Sequence, residues 1–213
     1  MLIIKKPFGN PPPKGFLLLF LVFLYLLAER LAKNSLLCYT DFMKLDYNNL
    51  YAYNVRFLEK RPLAKKILPY VSHVLTGLFF VAYAGLLIYL FKKDFGAVDR
   101  LKAIFSPLIC LLLVSVLRLA IDRPRPYSSE GAGILPFTTK KGQDNKSFPS
   151  RHLACAAVIS VTFLPYFLAG GILLAVFSVL LALVRFSLGL HYPTDLLAGL
   201  LLGATCGCIA FVL

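Results

Sequence analysis

From Ile67 to its last residue this chain is a succession of apolar runs joined by polar junctions, the longest of them a loop over residues 122–148. Each run approaches the roughly 20 residues that a helix needs to cross the hydrocarbon core of a bilayer. Lipid cannot satisfy exposed backbone groups, so a chain of this kind crosses as α-helices that bond internally. The runs are Ile67 to Phe91, Leu101 to Ile121, Pro149 to Leu168, Ile172 to Leu188 and Thr194 to Leu213. Gly170-Gly171 is expected to form the tight turn between the third and fourth of them. An earlier, shorter run extends from Phe16 to Ala28, or to Ala32 if Glu29 and Arg30 lie at the interface. Lysines ahead of a short apolar core also fit a signal peptide, but Ala28-Glu29-Arg30 is a poor cleavage site, so a retained helix is expected. The fold class is all-α. The expected architecture is a six-transmembrane-helix bundle, a single integral membrane domain over residues 1–213.

Between the first two expected spans lies a polar segment, residues 33–66. It mixes Tyr39, Tyr47, Tyr51 and Tyr53 with Lys44, Arg56, Lys60, Arg61, Lys65 and Lys66. Aromatics among bases suit an interfacial segment lying in the headgroup layer. A solvated loop has the same composition. Charged residues make up only 15% of the chain, against roughly a quarter in soluble domains, yet the net charge is +13. The bases sit between apolar spans, so the expected partners are the membrane bilayer and an anionic lipid substrate, with no nucleic acid. The cysteines (Cys38, Cys110, Cys155, Cys206 and Cys208) have neither disulfide-framework nor zinc spacing. Cys206-Gly207-Cys208 reads as small residues at a helix–helix contact.

Three junction segments carry the chemistry. The last is Arg185 to Asp195, which holds Arg185, His191 and Asp195 between two apolar runs. Charge is costly at a membrane span and is usually retained there for function. If Tyr192 to Asp195 opens a helix, Asp195 stands about one turn beyond His191. A carboxylate on one imidazole nitrogen fixes the tautomer and leaves the other free to attack or to move a proton. The first segment holds Arg118, near the end of an apolar run, and Arg125 between Pro124 and Pro126. Arg118 fits an interfacial snorkelling residue as well as a ligand. Arg125 has its backbone course fixed by prolines, and its planar fork matches phosphate oxygens. The middle segment is Pro149-Ser150-Arg151-His152. Proline favours a first helical turn, so Ser150, Arg151 and His152 fall where free N–H groups and the helix dipole attract anions. A polar helix cap with an interfacial histidine fits the same residues. In an alternating bundle all three segments emerge on one membrane face. The third histidine, His73, lies near the start of an apolar run and reads as a helix residue.

Together, Arg118-x6-Arg125-Pro126, Pro149-Ser150-Arg151-His152 and Arg185-x5-His191-x3-Asp195 resemble the three-part signature of the type-2 phosphatidic acid phosphatase superfamily. The resemblance covers residues 118–195 and agrees with a six-helix membrane layout. Three positions depart from the family pattern: Arg118 stands for lysine, Arg151 for glycine and Val184 for serine. The resemblance implies that His191 attacks phosphorus and forms a phosphohistidine, that Asp195 orients it, and that His152 protonates the leaving oxygen and later activates water. It implies that Arg118, Arg125, Ser150 and Arg185 hold the phosphate, and Arg151 joins them from its place in the middle segment. Arginines can supply the charge that phosphoryl transfer needs, so no metal and no other cofactor are expected. The expected activity is that of a metal-independent membrane lipid phosphatase acting on a lipid phosphate or diphosphate. A lipid phosphotransferase using the same intermediate, or a non-catalytic anion-binding membrane protein, would carry similar residues. By resemblance the active site faces outward from the cell membrane, although that side carries more lysine and arginine than the positive-inside rule favours.

Overall fold

The computed structural model describes residues 54, 56, 58–93, 95–127 and 146–212. The expected first span, most of the 33–66 segment and most of the loop before Lys146 lie outside the described residues. Five helices follow one another: α1 (Pro62–Lys92), α2 (Ala97–Ala120), α3 (Arg151–Phe163), α4 (Leu168–Ser187) and α5 (Pro193–Val212). All regular structure among the described residues is helical. Helices α1, α2, α4 and α5 are long and apolar enough to cross a membrane, and α3 is a shorter apolar helix. The chain is a multi-pass membrane protein.

Besides α2, which starts at Ala97 rather than Leu101, two boundaries differ from the sequence expectation. Pro62 fits the open first turn of a helix, so α1 begins at Pro62 rather than Ile67 and takes Lys65 and Lys66 into its first turns. At the other junction Gly170-Gly171 is not the turn. α3 stops at Phe163, two residues before Pro165, and the chain turns through Leu164 to Phe167. Both glycines then belong to α4. Gly171 lies against Leu164, where an added Cβ would come within 2.6 Å of its side chain. The doublet permits a close approach and makes no bend.

α3 is the centre of the bundle, and eight of its side chains are buried, from Leu153 to Thr162. A helix apolar on all sides belongs in the interior. The bundle is inverted relative to a soluble protein. Val81 on α1, Leu119 on α2, Val176 on α4 and Leu201 on α5 are all more than half exposed, because hydrocarbon is their solvent.

Small residues and hydroxyls join the helices. Gly199, Gly203 and Gly207 form one stripe on α5. Cβ atoms added at Gly199 and Gly207 would sit 2.6 Å from the Ser150 carbonyl and 2.7 Å from Val161 Cβ; one at Gly203 would clash with the Ala154 carbonyl. The α3 and α5 backbones therefore meet directly, as small-residue stripes allow in membranes. Ser160 on α3 and Ser178 on α4 place their hydroxyls 3.2 Å apart. Cys206 faces α2, where its carbonyl lies 3.5 Å from Ser106 Oγ. Far from the junctions of interest, Tyr89, Phe95, Tyr166, Phe167 and Phe211 form a linked set of ring contacts. Such aromatics fit a membrane–water interface.

Candidate active site

The end of α4 is shaped by a Schellman motif. Gly189 has a φ of 69°, the Gly189 N–H bonds to the Phe186 carbonyl, and the Leu190 N–H bonds to the Arg185 carbonyl. Only glycine takes this left-handed step without strain. It turns the chain back within two residues and delivers His191 beside the helix end that carries Arg185. α5 then starts with Pro193 in its first position. Asp195, in the third, reaches back to accept the Tyr192 N–H at 3.0 Å, half of a capping box.

Asp195 is fully buried and joins three parts of the chain. Its Oδ1 accepts from Arg123 at 2.7 Å, and its Oδ2 accepts from the Ser147 hydroxyl. Its backbone carbonyl accepts the Ser150 N–H at 3.0 Å, fixing the start of α3 against the start of α5. Arg118, at the end of α2, is also buried. It donates through one terminal nitrogen to the Pro149 carbonyl at 3.1 Å and through the other to the Lys146 carbonyl. The fork clasps the strip of chain that enters α3. A lysine ammonium lacks the planar fork for this two-point grip, which gives the arginine at this position a physical reason.

His191 is 1% exposed. Its Nδ1 lies 3.0 Å from the Ser147 carbonyl and 3.6 Å from Asp195 Oδ2. The second distance is too long for a hydrogen bond. The carbonyl can only accept, so Nδ1 carries the proton and Nε2 keeps its lone pair. Burial pushes the imidazole down to about 4, past the opposing pull of Asp195, and the charges of Arg125 and Arg185 act in the same direction as burial. Burial and the bond to the Ser147 carbonyl thus both favour a neutral ring with a free lone pair on Nε2.

The remaining residues lie around it. Arg185, His191, Arg151 and Arg125 are all electrostatic neighbours of His152. Ser150 is the N-cap of α3, with Arg151 and His152 in its first two positions. The Ser150 side chain makes no cap bond. Among the described residues, Ser150 Oγ and Arg185 Nε are buried polar atoms without a hydrogen-bond partner. Such atoms are rare, because leaving a buried donor unpaired costs about 1–3 kcal/mol. Both fit donors for an anion. Arg151 and His152 are exposed and stand at one end of a cavity of about 280 Å³. Its other walls are Thr76, Phe79 and Phe80 of α1, Leu111 of α2 and Leu181 of α4, so a polar end gives way to apolar sides.

All eight expected site residues thus gather at one end of the bundle. His73 is separate, an exposed residue on α1. Three residues with contacts at the site were not foreseen: Arg123, Ser147 and Tyr192. A buried Asp195 needs a counter-charge and donors. Arg123, in the same run as Arg125, was the sequence's one hint of where the charge comes from.

Lipid A 1-phosphatases of Rhizobium johnstonii and Rhizobium etli are similar to this chain. The first is 31% identical over 101 residues, 47% of this chain and 41% of that protein. The second is 32% identical over 93 residues, 43% of this chain and 40% of that protein. The chain thus spans about two fifths of the length of these curated relatives. Two crystal structures share its fold at 24% sequence identity. A PAP2 type phosphatidylglycerolphosphate phosphatase from Bacillus subtilis covers 90% of this chain and 94% of its own, with a TM-score of 0.63. Aquifex aeolicus LpxE covers 72% of this chain and 88% of its own, with a TM-score of 0.57. The model of the PAP2 superfamily matches residues 99–213, more than half of the sequence and the whole of the clustered site. The chain belongs to the PAP2 superfamily.

Proposed function

We propose that this protein is a membrane phosphatase that hydrolyses a lipid phosphate or diphosphate through a phosphohistidine on His191. One observation carries the reading. Arg118 and Arg185 are buried around a buried neutral histidine, while Asp195, the one buried carboxylate among the described residues, is already held by Arg123. Buried positive charge of this kind calls for an anionic partner.

In the proposed reaction the lone pair of His191 Nε2 attacks phosphorus in line with the leaving oxygen. The P–O bond breaks, and His152, set among Arg125, Arg151 and Arg185 and protonated once the phosphate's charge offsets theirs, gives its proton to that oxygen. His152, now neutral, takes a proton from water as the water attacks phosphorus. The P–N bond breaks, His191 recovers its lone pair and phosphate leaves. Arg125, Arg185, Ser150 and the first N–H groups of α3 face the phosphate oxygens, where charge builds in the transition state. Arg118 adds charge and holds the strip from Lys146 to Pro149 in place. Arg151, at the mouth, meets whatever anionic group lies beside the scissile phosphate. The lipid's apolar part lies along the cavity between α1 and α3. The site faces the outer side of a cell membrane, and the whole chain forms one six-span domain with the 33–66 segment at the interface.

The test is phosphate release by purified protein from a panel of lipids, with chelator present and with His191→Ala as control. The panel is phosphatidylglycerophosphate, a polyprenyl diphosphate, phosphatidic acid and lipid A 1-phosphate; the last is included because of the relatives' names. Release without an added acceptor, at least about a thousandfold weaker in the variant, is expected. Acid-labile phosphate trapped on the protein is expected with it. A well-folded protein that releases phosphate from none of these lipids overturns the proposal.

A further inference from the structure

The charge that holds Asp195 has a consequence for the nucleophile. Arg123 donates through one nitrogen to Asp195 Oδ1 at 2.7 Å and to Thr194 Oγ1 at 3.0 Å. Its guanidinium carbon stands 4.2 Å from the centre of the Tyr192 ring. One side chain thus grips three residues in the first turn of α5, across 71 and 72 residues of sequence. The Arg123 carbonyl meanwhile accepts the Ser147 N–H at 2.9 Å, and the Ser147 carbonyl accepts from His191 Nδ1. Arg123 therefore bonds to both residues whose oxygens face the Nδ1 edge of the ring.

We propose that Arg123 is a positioning residue for the nucleophile, acting through Asp195: it fixes the carboxylate and offsets its charge, so that His191 keeps a lone pair on Nε2. The proposal rests on the phosphohistidine reading above and adds a residue to it. An unpaired buried carboxylate 3.6 Å from an imidazole would draw a second proton onto the ring. A doubly protonated ring has no lone pair with which to attack phosphorus. The charged groups facing His191 are Asp195 on α5, Arg125 after α2, Arg185 on α4 and His152 on α3. Arg125 and Arg185 also disfavour the imidazolium, but in the proposed reaction they hold the phosphate. A bound phosphate offsets them and itself pulls a proton toward the ring. Arg123 is held on Asp195, Thr194 and the Tyr192 ring, so its charge stays with the carboxylate in the substrate complex, when the nucleophile must be neutral.

The experiment uses the purified full chain with Arg123→Gln and Arg123→Lys. Two readouts are followed: steady-state phosphate release against pH, and the titration of His191 by NMR of protein labelled with ¹⁵N-histidine. For Arg123→Gln the expected result is a fall in kcat of about ten- to a hundredfold, with KM changed less than about twofold. The acid limb of kcat/KM and the His191 titration should both rise by about one pH unit. Arg123→Lys should restore most of the titration shift, because the charge returns, and part of kcat. Should Arg123→Gln fail to fold, the lysine variant decides: a His191 titration like that of the parent supports the proposal, and one raised as by loss of charge overturns it. A folded Arg123→Gln protein with unmoved titration overturns it, as does a rise in KM with an unmoved acid limb. If the parent protein hydrolyses no lipid, the phosphatase reading fails while the NMR titration still reports on Arg123.

Discussion

The two sides of α3 are built on different principles. Toward α5 the contact is backbone to backbone, through Gly199, Gly203 and Gly207, and it ends at the Ser150–Asp195 hydrogen bond. Toward α1 large side chains meet loosely, and Phe79 and Phe80 border a cavity. In the proposed mechanism the tight side holds the histidine that attacks phosphorus, and misplacement of reacting groups by about 1 Å can cost a hundredfold in rate. The loose side has room for a partner of variable shape. Precision and accommodation are thus divided between two faces of one short helix.

Mutations can break that contrast, starting on the tight side. His152→Gln removes the proposed proton donor at the start of α3 and should lower phosphate release by about a hundred- to ten-thousandfold, measured as kcat/KM. Unchanged activity would show that another group protonates the leaving oxygen. Arg118→Lys keeps the charge but loses the two-point clasp on the strip entering α3. About tenfold or more in kcat should go, because a charge-assisted bond of this kind contributes about 1.5–3 kcal/mol. A loss seen only in KM would make Arg118 a simple phosphate ligand.

Two gentler changes sharpen the comparison. Gly203→Ala forces a methyl group against the Ala154 carbonyl and should cost about 1–3 kcal/mol of stability, read as a lowered Tm. Phe80→Ala, on the loose side, should leave kcat within about threefold and shift KM among lipids of different tail length, since one methylene in an apolar pocket is worth only about 1–3 kcal/mol. Equal effects of these two changes on kcat would erase the proposed division. The pH dependence is a further check. The acid limb that reports His191 should lie near the value of about 4 set by its burial, not near the ordinary imidazole value of 6.5. The same shift destabilises the fold as pH drops below 6.5, because the unfolded chain then binds a proton that buried His191 does not.

Much of this was legible in the sequence, and the reason is local. Arg185, Gly189, His191 and Asp195 lie within one helix end, one turn and one helix start, where spacing dictates geometry. Pro149 and Ser150 mark a helix start in the same way. What stayed hidden depends on contacts between distant residues. The pairing of Arg123 with Asp195 spans 72 positions, and no periodicity announces it. The Ser147 carbonyl that fixes the His191 tautomer is a backbone group, which any residue would have supplied. The early end of α3 was misread because Gly170-Gly171 looks like a turn. The doublet is instead accommodated inside a helix, where Leu164 packs against Gly171.

The length of α3 has a physical cost for the substrate. Its 13 residues rise about 20 Å, against a hydrocarbon thickness of about 30 Å. Its neighbours α4 and α5, which reach the same site, have 20 residues each and rise about 30 Å. In the proposed reaction a lipid phosphate has to descend to the start of this short helix to reach His191, and water must follow it. The local thickness of the bilayer then becomes a term in the rate. A thinner or more compressible membrane shortens the descent, and a thicker one lengthens it.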